Sequence, residues 1–159
     1  MQKIFSEGQL AEQLARLRRQ GKRIVFTNGC FDLIHSGHVY MLAQAKTFGD
    51  ILVVGMNTDA SVKRLKGDKR PILDQASRLA LLAALEVVDY ITLFEEDTPL
   101  ALIRRLQPHI LVKGGDWSPE AIVGKEVVEH AGGRVVAVRH QDGFSTTNLI
   151  ERILVAYQE

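Results

Sequence analysis

The sequence predicts a doubly wound α/β domain, with a five-stranded parallel sheet in the order 3-2-1-4-5 and helices on both faces. Three observations carry this. Five short β-branched runs are apolar almost end to end, as strands covered on both faces are. Stretches of helix length separate them, which parallel pairing requires. The 159 residues are 46% hydrophobic, enough for one core. A single domain over residues 1–159 is therefore expected, with an N-terminal helix in 1–21 and the α/β core in 22–159.

The elements follow in order. Leu10, Leu14 and Leu17 repeat at helical spacing between Ser6, a candidate N-cap, and Gly21, a stop. "RIVFTN" at 23–28 is the first strand, and a helix begins near Gly37. "ILVVGMN" at 51–57 is the second strand, followed by a basic, loop-like segment around "KRLKG". Asp74 caps a helix over 74–87 that carries a broad Leu/Ala face. "DYITLF" at 89–94 leads to a helix over 98–107, opening at Thr98 with Pro99 in its first turn. "HILVKG" at 109–114 and "RVVAV" at 134–138 complete the sheet, and a last helix over about 146–157 follows Gly143 and Ser145. The chain contains no internal repeat, linker or low-complexity segment.

Charge and composition exclude several classes. Twenty Lys and Arg against nineteen Asp and Glu give no general field for nucleic acid or an anionic membrane, so any anion must be held locally. The N-terminus lacks the apolar core of a signal peptide, and the longest apolar run, "LALLAAL" at 79–85, is too short to span a bilayer. A cytoplasmic location is expected. A lone Cys30 permits neither a disulfide nor a multi-cysteine metal site within the chain.

In the order 3-2-1-4-5 the first and fourth strands are neighbours, so the switch-point crevice lies between "GCFD" at 29–32 and "KGGDW" at 113–117. A strand, a glycine turn and a helix N-terminus aim backbone N–H groups at one spot, which suits phosphate oxygens. His35 and His38, three apart, share a helix face and can donate to one polyphosphate. The same spacing also serves helix capping, or a metal whose other ligands lie elsewhere. Cys30 reads as a small apolar side chain, because no group is visible to activate it. Asp32 serves either the turn or a substrate hydroxyl. Asn28, Asn57 and Asp59 sit at or just past strand ends, where they read sugar hydroxyls or make turns. His109, His130 and His140 lack the motif context of the first pair.

"NGCFDLIHSGH" resembles the signature of the cytidylyltransferase-like nucleotidyltransferases, and "GFSTTNLIERI" at 143–153 resembles that superfamily's second motif. These lie over a hundred residues apart, and their joint occurrence is far more specific than either alone. With "SVKRLKGDKRP" and "ILVKGGDW", the chain from about Gly21 to Leu154 resembles the adenylyltransferases that make ADP-heptose from heptose 1-phosphate and ATP. The resemblance implies a Rossmann-like fold, Mg2+ brought with ATP, Asp116 on sugar hydroxyls or helping to hold that magnesium, no other metal site, and pairing as a homodimer, although no interface stripe is visible. It also implies the stand-alone form, since the sugar-kinase domain of the larger bifunctional form does not fit this length.

By the same resemblance His35, His38 and Lys66 are catalytic. ATP is held by Asn28, Gly29, Cys30, Phe31, both histidines, Lys113, Gly115, Asp116, Ser145, Thr146 and Thr147. The sugar phosphate is held by Asp32, Asn57, Asp59, Lys66, Arg70 and Trp117. Trp117 is otherwise a core residue, the reading the residues themselves favour. Arg78 is a lesser candidate, or a partner for a carboxylate on a helix surface. Where related glycerol-phosphate cytidylyltransferases carry an arginine, this chain has His140 beside Arg139. The alternatives are a relative using CTP or another phosphate monoester such as glycerol 3-phosphate, a non-catalytic nucleotide-binding module, and a metallohydrolase.

Overall fold

A computed structural model describes residues 2–158; Met1 and Glu159, the ends of the expected domain, lie outside the described residues. The elements run α1 (Glu7–Arg19), β1 (Ile24–Gly29), α2 (Ser36–Lys46), β2 (Ile51–Asn57), α3 (Asp59–Lys66), α4 (Gln75–Ala84), β3 (Tyr90–Phe94), α5 (Leu100–Leu106), β4 (Ile110–Gly114), α6 (Lys125–His130), β5 (Arg134–Val138) and α7 (Thr146–Ala156). The sheet has the expected order, β3-β2-β1-β4-β5, and all its pairs are parallel.

The nearly continuous apolar strands feed two cores. Val25, Leu52, Val54, Ile110 and Val112 point to one face, where Met41 and Leu42 of α2 and Leu82 of α4 cover them. Ile24, Phe26, Val53 and Leu111 point to the other, against Leu10 and Leu14 of α1 and Leu102 and Ile103 of α5. Alternation of side chains along each strand divides the two sets.

Three boundaries depart from expectation. The basic segment read as a loop is helix α3: the Thr58 side chain caps it by accepting from the Ser61 N–H, and Asp59 in the first turn and three basic residues in the last suit the helix dipole. Helix α4 keeps its Asp74 cap but stops at Ala84, because Leu85 turns extended. Helix α5 starts at Leu100, and Pro99 stands at its N-cap without a side-chain capping bond, so Thr98 falls outside the helix.

Candidate active site

Strand β1 delivers the chain into a tight turn at its C-terminal end. Phe31 and Leu33 hold left-handed conformations there, at φ 50° and 48°. Such residues cost on the order of 1–3 kcal/mol each and persist where their surroundings over-determine them. Asp32 supplies much of that constraint. Its buried carboxylate accepts the N–H groups of Ile72 and Leu73, at 2.7 and 3.0 Å, and the Arg70 Nε at 2.7 Å. Burial by itself would raise this carboxyl, but the two backbone donors and the guanidinium outweigh it and hold it below the usual carboxylate range. Both oxygens are thereby committed to the loop before α4, which favours the turn over a substrate hydroxyl.

Helix α2 opens with a capping box built from imidazoles. His35 Nδ1 accepts the Gly37 N–H at 3.1 Å, and His38 Nδ1 accepts the His35 N–H at 3.3 Å. The rings stack, with centroids 3.9 Å apart and planes 30° from parallel. Because each Nδ1 is an acceptor, each neutral ring carries its proton on Nε2. Capping therefore sets the tautomer and leaves two Nε2–H donors side by side on the crevice wall. Burial, then His35 and His140, lower the His38 pKa to about 4. Burial, then His140, lower that of His35.

Gly37 is required by this packing. A Cβ there would stand 2.9 Å from the His35 ring and 3.0 Å from the Phe144 side chain. Gly37→Ala is expected to lose about 1–3 kcal/mol of stability by overpacking and by displacing the His35 ring. Thermal melting checks this, and an unchanged melting temperature would speak against the packing argument.

The late motif arrives at the same place. Thr146 Oγ1 donates to the Asp32 carbonyl at 2.7 Å, while Ser145 caps α7 by accepting the Asn148 N–H at 3.0 Å. Asp32 thus joins three segments: its own turn, the loop before α4, and the start of α7. The N-terminal ends of α2 and α7 face one crevice of about 770 Å³.

Most of the expected site residues line this crevice. Asn28, Gly29, Cys30, Phe31, Asp32, His35 and His38 come from β1, its turn and α2; Asn57, Lys66 and Arg70 from the β2 side; Lys113 and Trp117 from the β4 side; and Ser145, Thr146 and Thr147 from α7. Asp59, Gly115 and Asp116 do not line it. Asp59 is taken by Arg78 at 2.6 Å and by the Gln75 N–H. Gly115 is buried, its N–H donating to Val138, and Asp116 is exposed elsewhere.

Two side chains differ from expectation. Trp117 is 47% exposed at the crevice, its Nε1–H donating to the Gly114 carbonyl, so it closes no core. Arg78 lies on no surface. It is fully buried and donates to the carbonyls of Cys30 and Asn57, at 2.6 and 2.9 Å, tying the ends of β1 and β2 together. The signal was present: Arg78 and Leu82, four apart, share the buried stripe of α4. His140 lines the crevice and the exposed Arg139 does not. Sequence reasoning also missed Asp97 and Thr98, which line the wall after β3.

Lysines complete the electrostatics. Lys113 stands 5.3 Å from the Trp117 ring centroid, and its pKa is lowered by burial and by Lys66. Burial raises the Cys30 thiol despite nearby Lys66 and Arg78, so it stays protonated and a poor nucleophile. His109 serves structure at the other end of the sheet, accepting the Ile24 N–H through Nδ1 at 2.9 Å. Among the described residues, no group of three or more His, Cys, Asp or Glu is placed to hold a metal ion.

Sheet order and switch-point crevice together define a Rossmann-like α/β domain with its ligand crevice between the loops after β1 and β4. A family model described as cytidylyltransferase-like matches residues 26–153. The chain belongs to the cytidylyltransferase-like family. It is 57% identical over 157 residues to the bifunctional protein HldE of Geobacter metallireducens, across 99% of this chain and 32% of that protein. It thus spans about a third of the length of the curated relatives it matches. Among solved structures, a lipopolysaccharide core biosynthesis protein from Thermoplasma volcanium is 34% identical, with a TM-score of 0.63 over 76% of this chain and 98% of that one. A pantoate-beta-alanine ligase from Francisella tularensis shares the fold, with a TM-score of 0.64 over all of this chain and 80% of that one, at 15% identity.

Proposed function

We propose that the chain transfers the AMP moiety of ATP to D-glycero-β-D-manno-heptose 1-phosphate, giving ADP-heptose and pyrophosphate. The observation that carries this reading is the junction of the imidazole pair of α2 with the hydroxyl-bearing start of α7, through Thr146 and Asp32, on one crevice. The heptose substrate is supported by the likeness to HldE proteins and to a lipopolysaccharide core biosynthesis protein.

The second pKa of a phosphate monoester is about 6, so near neutral pH the sugar phosphate is already a good nucleophile and needs no general base. What remains is alignment of its oxygen with the α-phosphorus and neutralisation of charge on the transferring group and leaving pyrophosphate. The Nε2–H groups of His35 and His38 supply fixed donors for the first of these anions. The N-terminus of α7, with Ser145, Thr146 and Thr147, receives the outer phosphates. Lys66 and Arg70 face the acceptor phosphate, and Lys113 and Trp117 cover the nucleotide. Mg2+ enters bound to ATP as part of the substrate. No described helix is long and apolar enough to cross a membrane, which accords with a cytoplasmic reaction on small molecules. Pairing as a homodimer belongs to the same reading, with the exposed Leu154, Val155 and Tyr157 offering an apolar face to cover.

Pyrophosphate release across a panel of nucleoside triphosphates and phosphate monoesters tests the reaction. ATP with heptose 1-phosphate should be the preferred pair. Preference for CTP with glycerol 3-phosphate would reassign the substrates, and binding of nucleotide with no release from any pair would leave a non-catalytic module.

The depressed imidazoles make a second expectation. His38 is neutral in the free protein at pH 6, because its pKa has fallen to about 4. A polyanion beside it stabilises the protonated form, so its pKa rises on binding, and the proton taken up enters at Nδ1 in exchange for the bond from the His35 N–H. Calorimetry of ATP binding at pH 6 in buffers of different ionisation enthalpy should give a slope showing proton uptake. A slope left unchanged by His38→Ala would place the phosphates away from this imidazole.

A further inference from the structure

The wall after β3 is built into the crevice, and none of its residues has a role in the proposed transfer. Residues 95–98 connect β3 to α5, and α3 pins them: Ser61 Oγ donates to the Glu96 carbonyl at 3.2 Å, Arg64 donates to the Glu95 carbonyl, and Arg64 Nε reaches Asp97 Oδ1 at 3.0 Å. The Thr58 N–H also holds the Phe94 carbonyl at 3.0 Å. The helix that ends in Lys66 thereby holds the segment up to Asp97 on the crevice wall, and Thr98 follows it there.

We propose that Asp97 and Thr98 read the hydroxyl groups of the acceptor, which makes them specificity-determining residues for a polyhydroxylated phosphate monoester. The inference rests on the proposed nucleotidyl transfer and deepens it.

A carboxylate repels phosphate, so its presence in a crevice that gathers lysines, histidines and helix N-termini needs a reason. Asp32 has one, since both its oxygens are committed inside the fold. Asp142 lines the crevice in the segment before α7, beside that helix's N-terminus. Asp97 engages Arg64 through Oδ1 alone and stays two-thirds exposed, leaving Oδ2 to accept from neutral O–H donors. The Thr98 hydroxyl beside it both donates and accepts. A carboxylate and a hydroxyl in sequence suit adjacent hydroxyls of a sugar and repel a phosphate. Topology separates them from the segment assigned to the nucleotide. In the order β3-β2-β1-β4-β5, the segment covering the nucleotide follows β4, on one side of β1, and this wall follows β3, on the other. A sugar whose phosphate meets Lys66 and Arg70 would extend toward it.

Steady-state kinetics of the full chain with Asp97→Ala, Asp97→Asn and Thr98→Val test this, varying ATP and heptose 1-phosphate separately. Asp97→Ala should raise the KM for the sugar phosphate tenfold or more, Thr98→Val severalfold, and both should leave the KM for ATP within twofold. Asp97→Asn keeps one acceptor oxygen and should fall between wild type and Asp97→Ala. The preference for heptose 1-phosphate over glycerol 3-phosphate should shrink in step. Sugar KM values unchanged in an active enzyme, or a rise confined to ATP, would overturn the inference while leaving the transfer reaction standing. A wild-type chain inactive with every polyhydroxylated monophosphate would overturn both.

Discussion

His38→Ala is expected to lower turnover by about a hundredfold or more, equivalent to about 2.7 kcal/mol of barrier, while the protein stays folded. The imidazole presents its Nε2–H because Nδ1 is held by the His35 N–H. A donor fixed in this way needs no reorganisation as charge builds on the α-phosphoryl group, and removing one such donor typically costs a factor of 10²–10³. The structural loss is smaller. One capping acceptor is forfeited, worth about 0.5–2 kcal/mol, so circular dichroism should report a native fold at room temperature. His38→Gln places an amide N–H in the same region and should recover part of the loss. Turnover close to wild type in His38→Ala would remove the imidazole from the chemistry.

Asp32→Ala is expected to cost about 3–5 kcal/mol of stability, because it strips a buried carboxylate from a guanidinium and two backbone donors at once. The turn at Phe31 and Leu33, the loop before α4 and the start of α7 all lose a common anchor, so nucleotide affinity should fall with stability. The pH dependence has a definite sign. Asp32 titrates in the folded protein below its unfolded value of about 3.9, so its contribution is present above that value and is lost as pH falls through the folded one. His38 acts in a higher window. Between about pH 6.5 and its folded value of about 4 the unfolded chain binds the proton and the folded chain does not, so acidification favours unfolding. Denaturant titrations should show His38→Ala flattening the upper window and Asp32→Ala the lower. Identical acid profiles in both variants and wild type would contradict these assignments.

The fold was legible because the inner strands are buried on both faces, which continuous β-branched runs suit. Two motifs a hundred residues apart also pointed to one crevice, since the strand order leaves them nowhere else to meet. Helix α3 was hidden by its charge: "KRLKG" looks solvated, and its cue is the single cap at Thr58. Asp59 misled because a polar residue just past a strand faces either the crevice or its own neighbours, and only coordinates reveal that Arg78 takes it. Arg78 itself was undervalued because a buried guanidinium is recognised by the carbonyls around it, which no side-chain pattern displays. Asp97 and Thr98 carry no motif, and a helix three elements away positions them.

The most direct test is a crystal structure with a non-hydrolysable ATP analogue and Mg2+. The triphosphate should lie between the two Nε2 atoms of His35 and His38 and the backbone N–H groups at 145–147, with the α-phosphorus turned toward Lys66. Phosphates bound at either helix end alone, or anywhere outside the crevice that Asp32 and Thr146 hold together, would contradict the account.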